Sequence, residues 1–146
     1  MPSAFLTVAD TLERPSPAGT ARATATRTFG RAPGEVPAAR RFLREALDGH
    51  PAAFDAELLT CELVTNAVRH AGEAGWMTVA VTRRGTVVHV DVMDDGQTGL
   101  PHWRQATVED EGGRGFQLVN EIAQRWGFLR ERARTCVWFE LVPDHC

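Results

Sequence analysis

Two short runs, Trp76 to Thr82 and Thr86 to Met93, constrain the fold more than any other part of the chain. Both are rich in β-branched residues, both roughly alternate, and they are joined through Arg83-Arg84-Gly85. That pattern predicts an antiparallel hairpin. Elsewhere, Thr24 to Phe29 reads as an edge strand, and Trp126 to Arg132 with Thr135 to Val142 as a last pair of strands. Pro37 opens a helix over Val36 to Leu47, with apolar residues at helical spacing, and Asp48-Gly49-His50-Pro51 ends it. A second helix is expected from Phe54 to His70, stopped by Gly72 and Gly75, and a third from Gly115 to Arg125. Asp94 to Glu111 is polar, with glycines and a proline, and reads as loop. Hairpins outnumber βαβ crossovers in this order. The expected fold class is therefore α+β, a two-layer sandwich with helices on one face of a mixed, mostly antiparallel sheet.

The chain has 146 residues, enough for one domain with its own core. Residues 1–24 are rich in Ala, Thr, Ser and Pro without a sustained apolar period, and are expected to be a flexible tail on a domain spanning 25–143. Net charge is -3, which gives no electrostatic footprint for nucleic acid or an anionic membrane. There is no apolar run long enough to span a bilayer and no signal-peptide pattern, so a cytoplasmic location is expected. Three cysteines without a CxxC pair argue against a disulfide framework or a zinc site. All sixteen basic residues are arginine. A Walker A loop, an ordinary protein-kinase fold and a pyridoxal-phosphate Schiff base each need a lysine, so all three are excluded.

Three stretches carry chemistry. In the second helix Glu62, Asn66 and Arg69 fall on one stripe, with Val64, Ala67, Val68 and Ala71 roughly opposite. Such a stripe is either the wet side of an amphipathic helix or a metal-phosphate site. In the latter, Asn66 offers a neutral oxygen to Mg²⁺ and Glu62 polarises a hydroxyl or water. Asp94-Asp95-Gly96-Gln97-Thr98-Gly99 follows a strand directly. A carboxylate there can accept a hydrogen bond from an amine, while Gly96 and Gly99 let a flat ligand lie against backbone. An EF-hand fails at this place, because the third position from Asp91 is Met93 and the twelfth is His102. Last, Gly113-Arg114-Gly115-Phe116 leads into a helix, where exposed N–H groups and the helix dipole suit phosphate. It is not a dinucleotide fingerprint, since Leu118 occupies the third-glycine position.

Taken in this order, Glu-x-x-x-Asn on a helix, Asp-x-Gly after a strand and Gly-x-Gly-Phe before a helix resemble the GHKL ATPase superfamily of gyrase, heat-shock chaperones, histidine kinases and MutL. Glu62 to Asn66 looks like its N box, Asp94 to Gly99 like its first glycine box and Gly113 to Phe116 like its second. The resemblance covers Phe29 to Val142 and implies a Bergerat-type fold that binds ATP with Mg²⁺ without a Walker lysine. It also implies nucleotide contacts at Asn66, Arg69, Asp94, Gly96, Gly99, Gly113, Arg114, Gly115 and Phe116, the metal at Asn66, and Glu62 as the catalytic carboxylate.

Within the superfamily the chain is most similar to stand-alone anti-sigma-factor serine/threonine kinases of bacterial partner-switching systems. The likeness lies in Gly34 to Phe42, in Glu62-Leu63-Val64-Thr65-Asn66-Ala67-Val68-Arg69-His70 and in Val137-Trp138-Phe139-Glu140-Leu141. That group implies two partners, an anti-sigma-antagonist protein as phosphoryl acceptor and a sigma factor to sequester, with homodimerisation left open. Two departures stand out. One more residue separates Gly96 from Gly99 than in Asp-x-Gly-x-Gly, and Arg134-Thr135-Cys136 stands where the family often has Gly-Lys-Thr. The competing class is a binding module that holds nucleotide and captures a partner without phosphoryl transfer. A histidine kinase and a gyrase-like ATPase fit less well, for want of a dimerisation segment before the domain and a transducer domain after it.

Overall fold

The computed structural model describes residues 24–69, 75–95, 118–131 and 134–143. Strand β1 spans Ala25–Gly30, and a 3-10 turn at Pro33–Glu35 feeds helix α1, Val36–Ala46. Helix α2 spans Ala53–Arg69, and the hairpin strands β2 and β3 span Trp76–Arg84 and Val87–Asp94. Helix α3, whose described residues are 118–122, precedes β4, Arg125–Glu131, and β5, Arg134–Leu141. The five strands form one sheet in the order β1-β2-β3-β5-β4. Every pairing among these described strands is antiparallel, in agreement with the mostly antiparallel sheet expected from the order of the elements. The hairpin turns at Gly85, whose φ of 61° lies in the left-handed region that glycine enters without cost.

Alternation along the strands divides the sheet into two faces. One carries Val79 and Val81 of β2, Val88, Val90 and Val92 of β3, Val137 and Phe139 of β5 and Phe128 of β4, all buried. Helix α1 covers this face with Leu43 and α2 with Ala56, Leu59, Leu63 and Val64, and together these residues form the core. Leu59 is fully buried, so Leu59→Ala would cost about 2–5 kcal/mol through lost transfer energy and the cavity left behind. Two ion pairs join the helices on their solvent side, Arg40 and Arg44 both reaching Glu57. Hydrogen bonding to Arg44 holds the Glu57 carboxyl below its ordinary pKa despite some desolvation.

The opposite face is polar in its centre. His89 stacks on Trp138 with ring centroids 5.4 Å apart, its Nδ1 lies 3.1 Å from Glu140, and Nε2 lies 3.3 Å from Asp91. Arg125 Nε donates to Glu140 across 2.9 Å. Burial pushes the Glu140 carboxyl up, but the hydrogen bonds from Arg125 and His89 outweigh it and hold the group below the usual carboxylate range. Gly127 leaves room for the Trp138 indole, since a Cβ there would meet it at 3.1 Å.

Most element ends fall where periodicity placed them. The last helix is the exception, because it stops at 122 and β4 begins already at Arg125. Gln124 N–H donates to the Glu140 carbonyl, and Arg125 pairs with the Glu140 side chain. These long-range bonds peel the chain off the helix earlier than its local pattern suggests.

Candidate functional site

Residue by residue, the register fixes one end of the sheet as the place where the chemistry gathers. Asp94 is the last residue of β3 and follows the alternation of Val88, Val90 and Val92, so it stands on the helix-bearing face. Its partners across the ladder are Met77 and Thr135. Thr135 is 5% exposed and is the cross-strand neighbour of Asp94 on the same face. The sequence marked Thr135 only as a departure from a family pattern. The β3–β5 register is the signal that brings it to the site.

Helix α2 reaches the same end by connectivity. It finishes at Arg69, and Gly75, which precedes β2, lies next to the Arg31 and Asp95 side chains. The intervening chain spans at most about 20 Å. On α2 the buried line runs through Ala56, Leu59, Thr60, Leu63 and Val64, while Ala67 and Val68 are half-buried. Val68 packs against the core, and Ala71 lies outside the described residues. Of the opposite stripe, only Arg69 is exposed, and Glu62 and Asn66 are half-buried. Asn66 Oδ1 is buried and has no hydrogen-bond partner among the described residues. A buried amide oxygen without a donor costs about 1–3 kcal/mol, which a ligand or cation would recover. The Asn66 side chain therefore fits the metal contact expected of it.

Beyond Asp94 the next residue is anchored. Arg31 Nη2 lies 3.0 Å from Asp95 Oδ1, with the two side chains 3% and 12% exposed. Gly75 sits beside them at φ 148°. No metal-holding group of three His, Cys, Asp or Glu side chains exists among the described residues, so a divalent ion at Asn66 would draw its remaining ligands from phosphate and water, as magnesium commonly does. Gly96, Gly99, Gly113, Arg114, Gly115 and Phe116 lie outside the described residues.

Cys136 is on the far face, where its thiol approaches Asp91 at 3.6 Å. Burial first, then the nearby Asp91 carboxylate, pushes that thiol well above its ordinary value, so it is no nucleophile at neutral pH. A cleft of about 430 Å³ lined by Pro51, Asp55, Gln124 and Val142 lies at the other end of the sheet, where Leu141 pairs with Val88. It contains none of the residues gathered around Asp94. Among the described residues, no helix is long and apolar enough to cross a membrane.

Comparison with known proteins agrees with this architecture. The profile of a family described as histidine kinase-like ATPase domain matches residues 19–141. No curated protein matches the chain in sequence. Among solved structures, the crystal structure of the RsbU and RsbW domains of Rv1364c from Mycobacterium tuberculosis superposes with a TM-score of 0.58 at 21% identity. The match covers 80% of this chain and 32% of that one, so this chain spans about a third of its length, and the likeness is one of fold.

Proposed function

The chain belongs to the histidine kinase-like ATPase domain family, and from that premise we propose that it binds ATP with Mg²⁺ and phosphorylates a serine or threonine of an anti-sigma-antagonist protein. In its other state it sequesters a sigma factor, as a cytoplasmic partner-switching regulator. The observation that carries this reading is the buried, partnerless Asn66 Oδ1 on the same helical stripe as Glu62. A solvated helix face would leave both groups in water.

Mg-ATP supplies the transferable phosphoryl group and the cation that offsets its charge. Asn66 gives the cation a neutral oxygen. Asp94, at the floor, accepts a hydrogen bond from the adenine amine, with Thr135 beside it. Arg69, in the last turn of α2, would supply positive charge to the phosphates. The segment with Gly113, Arg114, Gly115 and Phe116 carries the phosphate-binding role that the family resemblance gives it, as Gly96 and Gly99 do for the base. Glu62 holds the acceptor hydroxyl and takes its proton, because a serine hydroxyl is a poor nucleophile at neutral pH.

The test is incubation of the protein with labelled ATP and each anti-sigma-antagonist homologue of the same genome, followed by mapping of the labelled residue. Label on one serine or threonine is the expected result. Nucleotide binding with no labelled acceptor would replace the kinase by a nucleotide-gated binding module.

A further inference from the structure

We propose that Arg31 is a positioning residue for base recognition: through its buried ion pair with Asp95 it fixes the strand end that carries Asp94, and so sets the preference for adenine over a base that lacks the 6-amino group. The proposal rests on the nucleotide-site reading given above.

The geometry is specific. Gly30 pairs with Trp76 and Met77 with Asp94, which brings the residues just beyond these pairs, Arg31, Gly75 and Asp95, to one corner. Arg31 N–H donates to the Gly75 carbonyl across 3.2 Å, continuing the β1–β2 ladder by one step. The Arg31 guanidinium then reaches past β2 to the end of β3. It does so where the intervening residue has no side chain. A Cβ on Gly75 would lie 2.8 Å from Arg31 Nε, from Arg31 Nη2 and from Asp95 Oδ2. The glycine thus leaves the room that the pair occupies, and a side chain at 75 would have to push the ends of Arg31 and Asp95 aside.

As a mere staple this pair is a poor choice. Arg31 Nε and Nη2 and Asp95 Oδ1 are all buried, and none makes a well-aligned hydrogen bond among the described residues. Two desolvated charges held so imperfectly recover little of their hydration, and apolar residues of the same volume would join the strands at lower cost. What apolar residues would not do is hold a carboxylate in a fixed direction. Asp95 is one peptide bond from Asp94, so fixing its side chain fixes the backbone on which the Asp94 carboxylate turns. A hydrogen bond to a ring amine weakens steeply once its angle is lost, so base selectivity is the property most sensitive to that anchoring.

The experiment is calorimetry with ADP and with IDP, whose base has a carbonyl in place of the 6-amino group. It is run with Mg²⁺ on the full chain and on Arg31→Gln, Arg31→Lys and the double variant Arg31→Gln with Asp95→Asn, and the melting temperature of each is recorded. Wild type is expected to prefer ADP. Arg31→Gln should shrink that preference about tenfold, the size expected for a charge-assisted hydrogen bond. Adding Asp95→Asn should restore none of it, because the pair that fixes the strand end is still missing, and a restored preference would overturn the proposal. Arg31→Lys keeps the charge without the planar fork and should shrink the preference about threefold. It carries the test alone if Arg31→Gln does not fold. A lower melting temperature with the ADP preference unchanged would make the pair structural only and overturn the proposal. Wild type that binds neither nucleotide would overturn the ATP reading itself. Wild type that binds both equally would remove Asp94 from base recognition, and the proposal with it.

Discussion

Glu62 and Asn66 stand one turn apart on α2, and their half-buried state gives each a distinct experimental signature. Glu62→Gln should bind ATP nearly as well as wild type while antagonist phosphorylation slows roughly 10²–10⁴-fold, as for loss of a general base. Calorimetry paired with mass spectrometry of the antagonist measures both, and equal phosphorylation by the two proteins would remove Glu62 from catalysis. Asn66→Ala should weaken ATP binding strongly with Mg²⁺ present and much less in EDTA. Equal losses in both conditions would point to damage to the helix instead. The stripe itself was legible, because helical spacing alone puts Glu62, Asn66 and Arg69 together. Whether it faced water was not, since that depends on the residues packed around it. Thr135 and the Arg31–Asp95 pair were hidden for a related reason, as each needs the pairing register of strands far apart in the chain.

Among the elements, the hairpin was the most readable, because two alternating runs with a short glycine turn leave little choice of pairing. Helices α1 and α2 followed from the 3.6-residue period and from the punctuation at Asp48 to Pro51. That punctuation is also a joint. His50 is 7% exposed, accepts the Ala52 N–H at Nδ1 across 3.0 Å and donates from Nε2 to the Gly85 carbonyl at 3.2 Å. A single ring thus ties the α1–α2 corner to the β2–β3 turn. His50→Ala leaves a buried N–H and a carbonyl without partners, so thermal unfolding should show a loss of about 1–3 kcal/mol. Nucleotide affinity should be unchanged, because this joint is at the end of the sheet away from Asp94. The last helix was misjudged in extent because its end is set by Glu140, on another strand.

For the whole molecule, paired carboxylates on the far face of the sheet and on the helices make stability depend on acid. The Glu140 carboxyl is held below its ordinary value, and Glu57 is as well. A group with a depressed folded pKa contributes stability that is fully present above its unfolded value, about 4.3 for glutamate, and is lost as pH falls through the folded value. The contribution of these two carboxylates should therefore be flat at neutral pH and decline below about pH 4.3. Glu140→Gln should lower the neutral plateau and flatten the acid limb, which urea titrations at several pH values would show. An unchanged acid limb would mean that Arg125 and His89 do not stabilise the charged form. The placement of β1 has a different kind of consequence. Residues 31–75, with both long helices, separate β1 from its neighbour β2, whereas β2 and β3 are joined by Gly85-Thr86. Closing the short turn costs little chain entropy and closing the long loop costs more, so the hairpin is placed to form early and β1 to dock late. The edge that docks late is also the one that opens at least expense. Amide hydrogens of Ala25–Gly30 should exchange faster than those of β3, and because Arg31 leaves with β1, a bound adenine nucleotide should slow their exchange more than that of any other strand.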